Sequence, residues 1–450
     1  MYIPDIAKLS GGEAKKALGP LEAEYGKLCE RGLKLDIQRG RPSADQLNIA
    51  KEMLDWGDAP FKCEDGNDAR NYGGGIEGTP EARALFAEMF GVGKENVIAW
   101  GNSSLNIMYD LLVKAMLHGV YGADRSWLDH AREAGGKLKF ICPSPGYDRH
   151  FLMTQTLGFE LITVEMRADG PDMDAVERIV SEDPLVKGIW NVPKYQNPIG
   201  VTYSEETVRR FAALKPKAAD FRIFWDNSYM VHDLYDETDY LPDLLSEAGK
   251  YGNGDMVYMF TSTSKITFAG SGMTAFAASV NNIKHVAKQL SVQTITPDKI
   301  NQLRHVRFIK DMDGLAAIMK KHAAFIRPKF EMVLNILAEE FRDNGACGPN
   351  GAAGPNSAVG LYDVCEWTNP RGGYFISLNA PDNCAKEALR LASEAGGKFT
   401  PAGATYPYGV DPRDRNIRIA PTVPSLAELE TAMRVLTLCI KIAYLRNKAI

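Results

Sequence analysis

Between about residues 95 and 280, short and almost unbroken apolar runs alternate with longer segments whose apolar positions recur every three or four residues. ENVIAW is followed by SLNIMYDLLVKAML, KLKFICP by YDRHFLMTQTLG, and LVKGIWNVP by SEETVRRFAALK, ahead of the further runs FRIFWDN and DMVYMFTSTS. A short continuous run suits a strand covered on both faces, and the three-four spacing suits an amphipathic helix. Strands separated by helices need crossover connections, so the pattern predicts an α/β domain with a mostly parallel central sheet and helices on both faces.

After residue 325 the texture changes. In IRPKFEMVLNILAEEFRDNG, the residues Phe330, Val333, Leu337 and Phe341 mark one helical face ahead of a stop at Asn344 and Gly345. Strand-like GGYFISL and NIRIA follow, and the chain closes on SLAELETAMRVLTLCIKIAYL, where Ser425 and Glu428 have capping-box spacing. The expected organisation is a large domain over 66–325 and a smaller α+β domain over 326–450, joined by part of an N-terminal arm, 1–65. GACGPNGAAGPNSA, at 345–358, reads as a surface loop, and no 20–50-residue period repeats.

Composition narrows the function classes. With 450 residues, 45% hydrophobic and 24% charged, the chain has enough apolar material for more than one core and is not a disordered one. A net charge of -5 without a basic run offers no field for nucleic acid. No secretory leader and no run approaching ~18 apolar residues is evident, so neither export nor membrane insertion is expected. Seven cysteines without a CxxC pair suit free thiols in a reducing compartment, which makes the cytoplasm the expected location. His118, His130 and His150 read as ordinary surface or core histidines, and no metal site is expected.

In a doubly wound sheet, ligands bind at the carboxyl ends of strands. Four predicted strand-end loops carry polar chemistry there: WGNSSLN at 100–106, VPKYQNPIG at 192–200, IFWDNSYM at 223–230 and FTSTSK at 260–265. WGNSSLN opens a helix, so its N–H groups and the hydroxyls of Ser103 and Ser104 suit a phosphate; N-capping by Ser103 or Asn102 is the plainer alternative. Asp226 suits a protonated ring nitrogen or a helix cap. Lys265 is either a solvated turn lysine or an amine held for carbonyl chemistry.

A lysine for a Schiff base, a carboxylate for a pyridinium nitrogen and a phosphate cup together match the needs of pyridoxal phosphate. NPIG at 197–200, DNSY at 226–229, SxSK ending at Lys265 and IRIAP at 417–421 occur in the order found in class I aminotransferases, and RNYGGGIEGTPEAR at 70–83 resembles that family's Tyr-Gly segment. From about residue 35 onward the chain resembles this family of fold-type I pyridoxal-phosphate enzymes, in particular the aspartate aminotransferase branch with bacterial members. The resemblance implies that Lys265 binds the cofactor covalently, Asp226 partners its ring nitrogen, and Asn197 and Tyr229 donate to its phenolic oxygen. It places Tyr147 against the ring and Ser103, Ser104 and Ser262 on the phosphate, with Tyr72 arriving from a second subunit of a homodimer. Substrate falls to Arg418, Asn197 and Gly40; a surface arginine is the bland reading of Arg418, yet its fork of donors suits a carboxylate.

The implied reaction moves an amino group from an L-amino acid, aspartate first, to 2-oxoglutarate by a ping-pong route, a step of amino-acid metabolism. β-elimination or decarboxylation on the same cofactor is the nearest rival, and a non-catalytic cofactor-sensing regulator the more distant one. One departure stands out. The family commonly has an arginine eight residues after the lysine to meet the phosphate, and here that position is Met273. Arg39 and Arg41, in QRGRPS, are candidates for the distal carboxylate of the substrate, or else make surface ion pairs. GSGMTA, at 270–275, resembles half a dinucleotide fingerprint without the acidic residue that would complete it.

Overall fold

A computed structural model describes residues 9–341 and 365–449. The predicted loop at 345–358 and the predicted stop at Asn344 and Gly345 lie outside these residues. The central sheet has eight strands. In chain order they are β2 (Val97–Ala99), β3 (Lys139–Ser144), β4 (Glu160–Arg167), β5 (Gly170–Pro171), β6 (Val186–Asn191), β7 (Arg222–Asp226), β8 (Val257–Ser262) and β9 (Thr274–Ala278). In space they run β2-β9-β8-β7-β6-β3-β4-β5. The pairings from β8 through β7, β6 and β3 to β4 are parallel; β9 lies antiparallel between β8 and β2, and β5 is antiparallel to β4.

Five predicted runs became β2, β3, β6, β7 and β8, and all but β3 at its first residue are buried along their whole length. Three strands escaped the pattern, the two-residue β5 among them. β4 alternates between buried and exposed positions because it lies near the sheet edge. β9, Thr-Ala-Phe-Ala-Ala, is fully buried but built mostly of alanine, so its sequence looks like the tail of the glycine turn before it. Separate apolar clusters cover the two faces of the sheet, one around Trp127, Phe140, Trp190 and Phe224, the other around Phe211, Phe221, Trp225 and Met259.

A second cluster of elements stands beside the sheet. β1 (Leu35–Ile37) pairs in parallel with β12 (Gly397–Phe399), and β11 (Ile376–Asn379) lies antiparallel between β10 (Glu366–Trp367) and β13 (Asn416–Ile419). The helix Gly11–Glu30 sets Ala14, Ala17 and Leu21 into the same core as Leu429, Met433 and Leu436 of the C-terminal helix Leu426–Lys448. That last helix begins with the predicted capping box: Ser425 Oγ accepts from Glu428 N, and Glu428 Oε2 accepts from Ser425 N at 2.8 Å. The helix Met312–Phe341 runs unbroken across residue 325. Its Leu315, Ile318 and Met319 belong to a core under the sheet, and its Ile326, Phe330 and Val333 to the core of the smaller unit.

Candidate functional site

The strands β2, β3, β6, β7 and β8 all point their carboxyl ends to one edge, and each delivers a polar loop there. These loops line a single cavity with Ser103, Ser104, Tyr147, Asn197, Asp226, Tyr229, Ser262 and Lys265, together with Ser228 and Ser264. The convergence follows from topology, since parallel strands hand all their exits to the same side.

Lys265 leaves the end of β8 through a short turn and carries its Nζ 4.7 Å from the centroid of the Tyr229 ring and 6.0 Å from that of Tyr374. Burial pushes its amine below the ordinary lysine range, and the charge of Asp226 opposes this only in part. Burial holds the Tyr229 phenol far above the ordinary tyrosine range, with the neighbouring Tyr147 and Asp226 adding to the effect. Tyr229 therefore presents a neutral O–H donor.

Asp226 ends β7 and is 3% exposed. It caps no helix. Ser228 Oγ donates to its Oδ1 at 2.5 Å, and His150 Nε2 lies 3.0 Å from its Oδ2. His150 stands on the helix Asp148–Thr156 and stacks on the Trp190 indole at 4.3 Å and 11°. Reading His150 as an ordinary core histidine missed this contact. The available signal was its place three residues after Tyr147, which puts both side chains on one helical face toward the sheet. Ser228 was within reach as well, because a hydroxyl two residues after an aspartate is a common turn partner.

Ser103 occupies the N-cap position of the helix Ser104–His118, yet its hydroxyl makes no capping bond. Ser103 and Ser104 thus open a helix whose first N–H groups face the cavity, an arrangement suited to an anion. Met273 is buried in the core under the sheet, and its backbone N–H donates to Thr263 Oγ1 at 2.8 Å. No charge comes from that position.

Arg418, on β13, is 5% exposed and reaches the site from the smaller unit. Its Nη1 donates to Asp148 Oδ1 at 2.8 Å and to Asn197 Oδ1 at 3.2 Å, while its Nε lies 3.3 Å from Thr400 Oγ1. Because Asn197 uses its oxygen on Arg418, its amide N–H groups stay available as donors. The guanidinium sits 4.9 Å over the Phe375 ring, and Gly40 lies against the same ring so closely that a Cβ would come within 2.4 Å of it.

Other predicted residues do not line the cavity. Tyr72 is 70% exposed on its glycine-flanked loop. Arg39 and Arg41 are exposed too, and Arg41 Nη2 lies 3.8 Å from Asp36, the surface ion pair that was the alternative reading. Among the described residues no group of histidines, cysteines or carboxylates could hold a metal, and no helix is long and apolar enough to cross a membrane.

An eight-stranded, mostly parallel sheet with a buried lysine and a carboxylate at its carboxyl edge, flanked by a smaller unit that contributes an arginine, defines a fold-type I aminotransferase. The chain belongs to the aspartate amino-transferase family, whose model matches residues 9–450. It is 42% identical over 424 residues to an aspartate aminotransferase of Corynebacterium glutamicum, covering 94% of this chain and 92% of the relative. A crystal structure of an aspartate transaminase from Corynebacterium glutamicum superposes with a TM-score of 0.90 at 40% identity, over 98% of this chain and 99% of the other. The α-aminoadipate aminotransferase LysN of Thermus thermophilus, complexed with N-(5'-phosphopyridoxyl)-L-leucine, shares the fold with a TM-score of 0.68 at 20% identity, over 97% and 99% of the two chains.

Proposed function

We propose that this aminotransferase uses pyridoxal 5'-phosphate to take the amino group of L-aspartate and pass it to 2-oxoglutarate in two half-reactions, as a cytoplasmic homodimer. The observation that carries the reading is Lys265: a buried amine biased toward its neutral form, in one cavity with Asp226 and with the uncapped hydroxyl of Ser103. The residues present suit the cofactor in three respects. An amine is poised for its carbonyl, a carboxylate supported by His150 and Ser228 faces the same space, and hydroxyls at a helix start suit its phosphate.

When bound, pyridoxal phosphate supplies an electron sink for charge developing at the substrate's α-carbon. Asp226 would hold a proton on the ring nitrogen, and the bonds from Ser228 and His150 fix its carboxylate for that task. Asn197 and Tyr229 would donate to the phenolic oxygen, and Tyr147 would cover the ring. Lys265 would move the proton at the substrate's α-carbon, and burial biases its amine toward the neutral form that can accept one. Arg418 would orient the α-carboxylate with Gly40 beside it, while Ser103, Ser104, Ser262 and the partner subunit's Tyr72 would hold the phosphate. The exposure of Tyr72 on its loop supports that assignment. The names of the similar Corynebacterium proteins support aspartate as the donor.

The test is an absorbance titration of the purified, cofactor-loaded protein with a panel of L-amino acids. Aspartate is expected to convert the visible band to that of the amino form of the cofactor, and 2-oxoglutarate to restore it. Parallel lines in double-reciprocal plots would mark the ping-pong order. Steady release of pyruvate or carbon dioxide without a keto acid would instead identify a lyase or a decarboxylase.

A further inference from the structure

The turn that presents Lys265 is a single helical turn. Ile266 N and Thr267 N donate to the Thr263 carbonyl at 2.9 and 2.8 Å, and no further turn follows to take up the carbonyls of Lys265 and Ile266. Such helix-end acceptors need partners when buried. Both find them in side chains that come from outside the sheet.

His322, on the helix Met312–Phe341 and 1% exposed, has its Nε2 2.8 Å from the Ile266 carbonyl. Tyr374, fully buried just before β11, donates from its hydroxyl to the Lys265 carbonyl at 3.4 Å. One residue serves both: the amide of Gln46 reaches His322 Nδ1 at 3.1 Å and the Tyr374 hydroxyl oxygen at 3.0 Å. Gln46 Oε1 in turn accepts from Ser43 N at 3.1 Å.

The hydrogen-bond directions form one consistent set. An amide N–H of Gln46 can enter His322 Nδ1 only if that nitrogen is unprotonated, which puts the ring proton on Nε2, where it donates to Ile266. The second amide hydrogen goes to the Tyr374 oxygen and leaves its O–H for Lys265. The peptide planes on either side of Ile266 are thus held at both ends, by Thr263 at their N–H groups and by Tyr374 and His322 at their carbonyls. The first of these planes carries the Lys265 α-carbon and the second holds the first in place, so together they restrain the direction in which the Lys265 side chain leaves the turn.

We propose that Gln46, His322 and Tyr374 form a clamp that positions Lys265, with Gln46 as the residue that couples the N-terminal segment to the reactive amine. The side chains of Gln46 and His322 bond only backbone groups and members of the clamp, and Tyr374 faces the Lys265 amine with its ring alone, at 6.0 Å, so the three act as positioning residues; the inference rests on the proposed role of Lys265. Gln46 also sits in the helix Ala44–Asn48, which follows directly on the Gly40 segment, so the substrate side and the amine are fastened by one side chain.

Three variants of the full chain test this: His322→Leu, which loses both bonds; Gln46→Glu, which keeps the shape and removes the donors; and His322→Gln, which retains one donor and one acceptor. In the cofactor-free protein, amide hydrogen exchange across 263–268 is expected to quicken in the first two, by roughly tenfold for about 1.4 kcal/mol lost. In the loaded protein, the pH midpoint of the visible absorbance should shift and kcat should fall by about tenfold while KM changes little. His322→Gln should recover most of each signal. Exchange, absorbance midpoint and kcat all at wild-type values in folded His322→Leu and Gln46→Glu would overturn the clamp, as would a fall in melting temperature alone. If His322→Leu does not fold, Gln46→Glu decides. A wild-type chain without a visible band would sink the cofactor reading, while exchange in the cofactor-free chain would still judge the clamp.

Discussion

Lys265 keeps its amine beside the Tyr229 ring, where burial disfavours the charged form, so the group proposed as the base is also a local cost to the cofactor-free fold. Its folded value lies below its unfolded one, hence the unfolded chain binds the extra proton between the two, and stability contributed through this group rises with pH across that window. Lys265→Met is therefore expected to raise the melting temperature of the cofactor-free protein at neutral pH and to abolish turnover. A calorimetric scan beside an activity assay checks both, and borohydride reduction of the loaded wild type should label Lys265 alone. Asp226→Ala should retain the fold and lose several orders of magnitude in rate, each tenfold step being about 1.4 kcal/mol of barrier; near-normal turnover with bound cofactor would remove it from the mechanism. His150→Phe keeps a ring on Trp190 but drops the bond to Asp226, and a loss of about 1.5–3 kcal/mol, read as kcat, is expected from removing a bond to a charged group. Lys265, Asp226, Tyr229 and Ser103 were legible as candidates that would share one cavity, because each sits in a polar loop that follows an apolar run. His150 was not, because its partner lies on another strand and sequence spacing does not show which core histidine meets which carboxylate.

Two helix starts with serine at the N-cap position differ in what the hydroxyl does. Ser425 caps its helix through a reciprocal bond with Glu428, whereas the Ser103 hydroxyl bonds nothing in its own helix. Ser425→Ala should cost about 1 kcal/mol of stability in a denaturant titration and leave cofactor affinity alone. Ser103→Ala should do the reverse, weakening binding of the cofactor measured by equilibrium dialysis with little change in the denaturation midpoint. Sequence spacing gave the Ser425 cap correctly, yet it left Ser103 open between cap and anion site. β9 and β4 stayed hidden for a related reason: an alanine strand and a half-exposed strand next to the sheet edge lack the continuous buried apolar run that marks β6 or β8. On the β13 side, Gly40→Ala would drive a methyl group into Phe375, under the Arg418 guanidinium, and should raise KM for aspartate more than it lowers kcat.

At the scale of the whole molecule, Tyr72 is the residue whose assigned place lies outside its own protomer. If the site is shared, mixing Tyr72→Ala with Lys265→Ala after dissociation and reassociation yields mixed dimers with one doubly damaged site and one intact site, and activity should return toward half of wild type per mixed dimer. Heterodimers that form without activity, or an active monomer in the ultracentrifuge, would rule the shared site out. Subunit exchange of this kind was suggested by motif resemblance and not by periodicity, since the hydrophobic pattern describes one chain and contains nothing about its neighbour. The same limit applied to the helix Met312–Phe341: its apolar stripe was legible past residue 325, but not that the stripe serves two cores in succession. That continuity bears on any attempt to dissect the enzyme. A cut at residue 325 would split a rod of 30 residues, roughly 45 Å at 1.5 Å per residue, and strip each half of part of its packing. Separately expressed halves should be insoluble, and the intact chain should melt in one calorimetric transition, because neither core can come apart without fraying the spindle on which the other is wound.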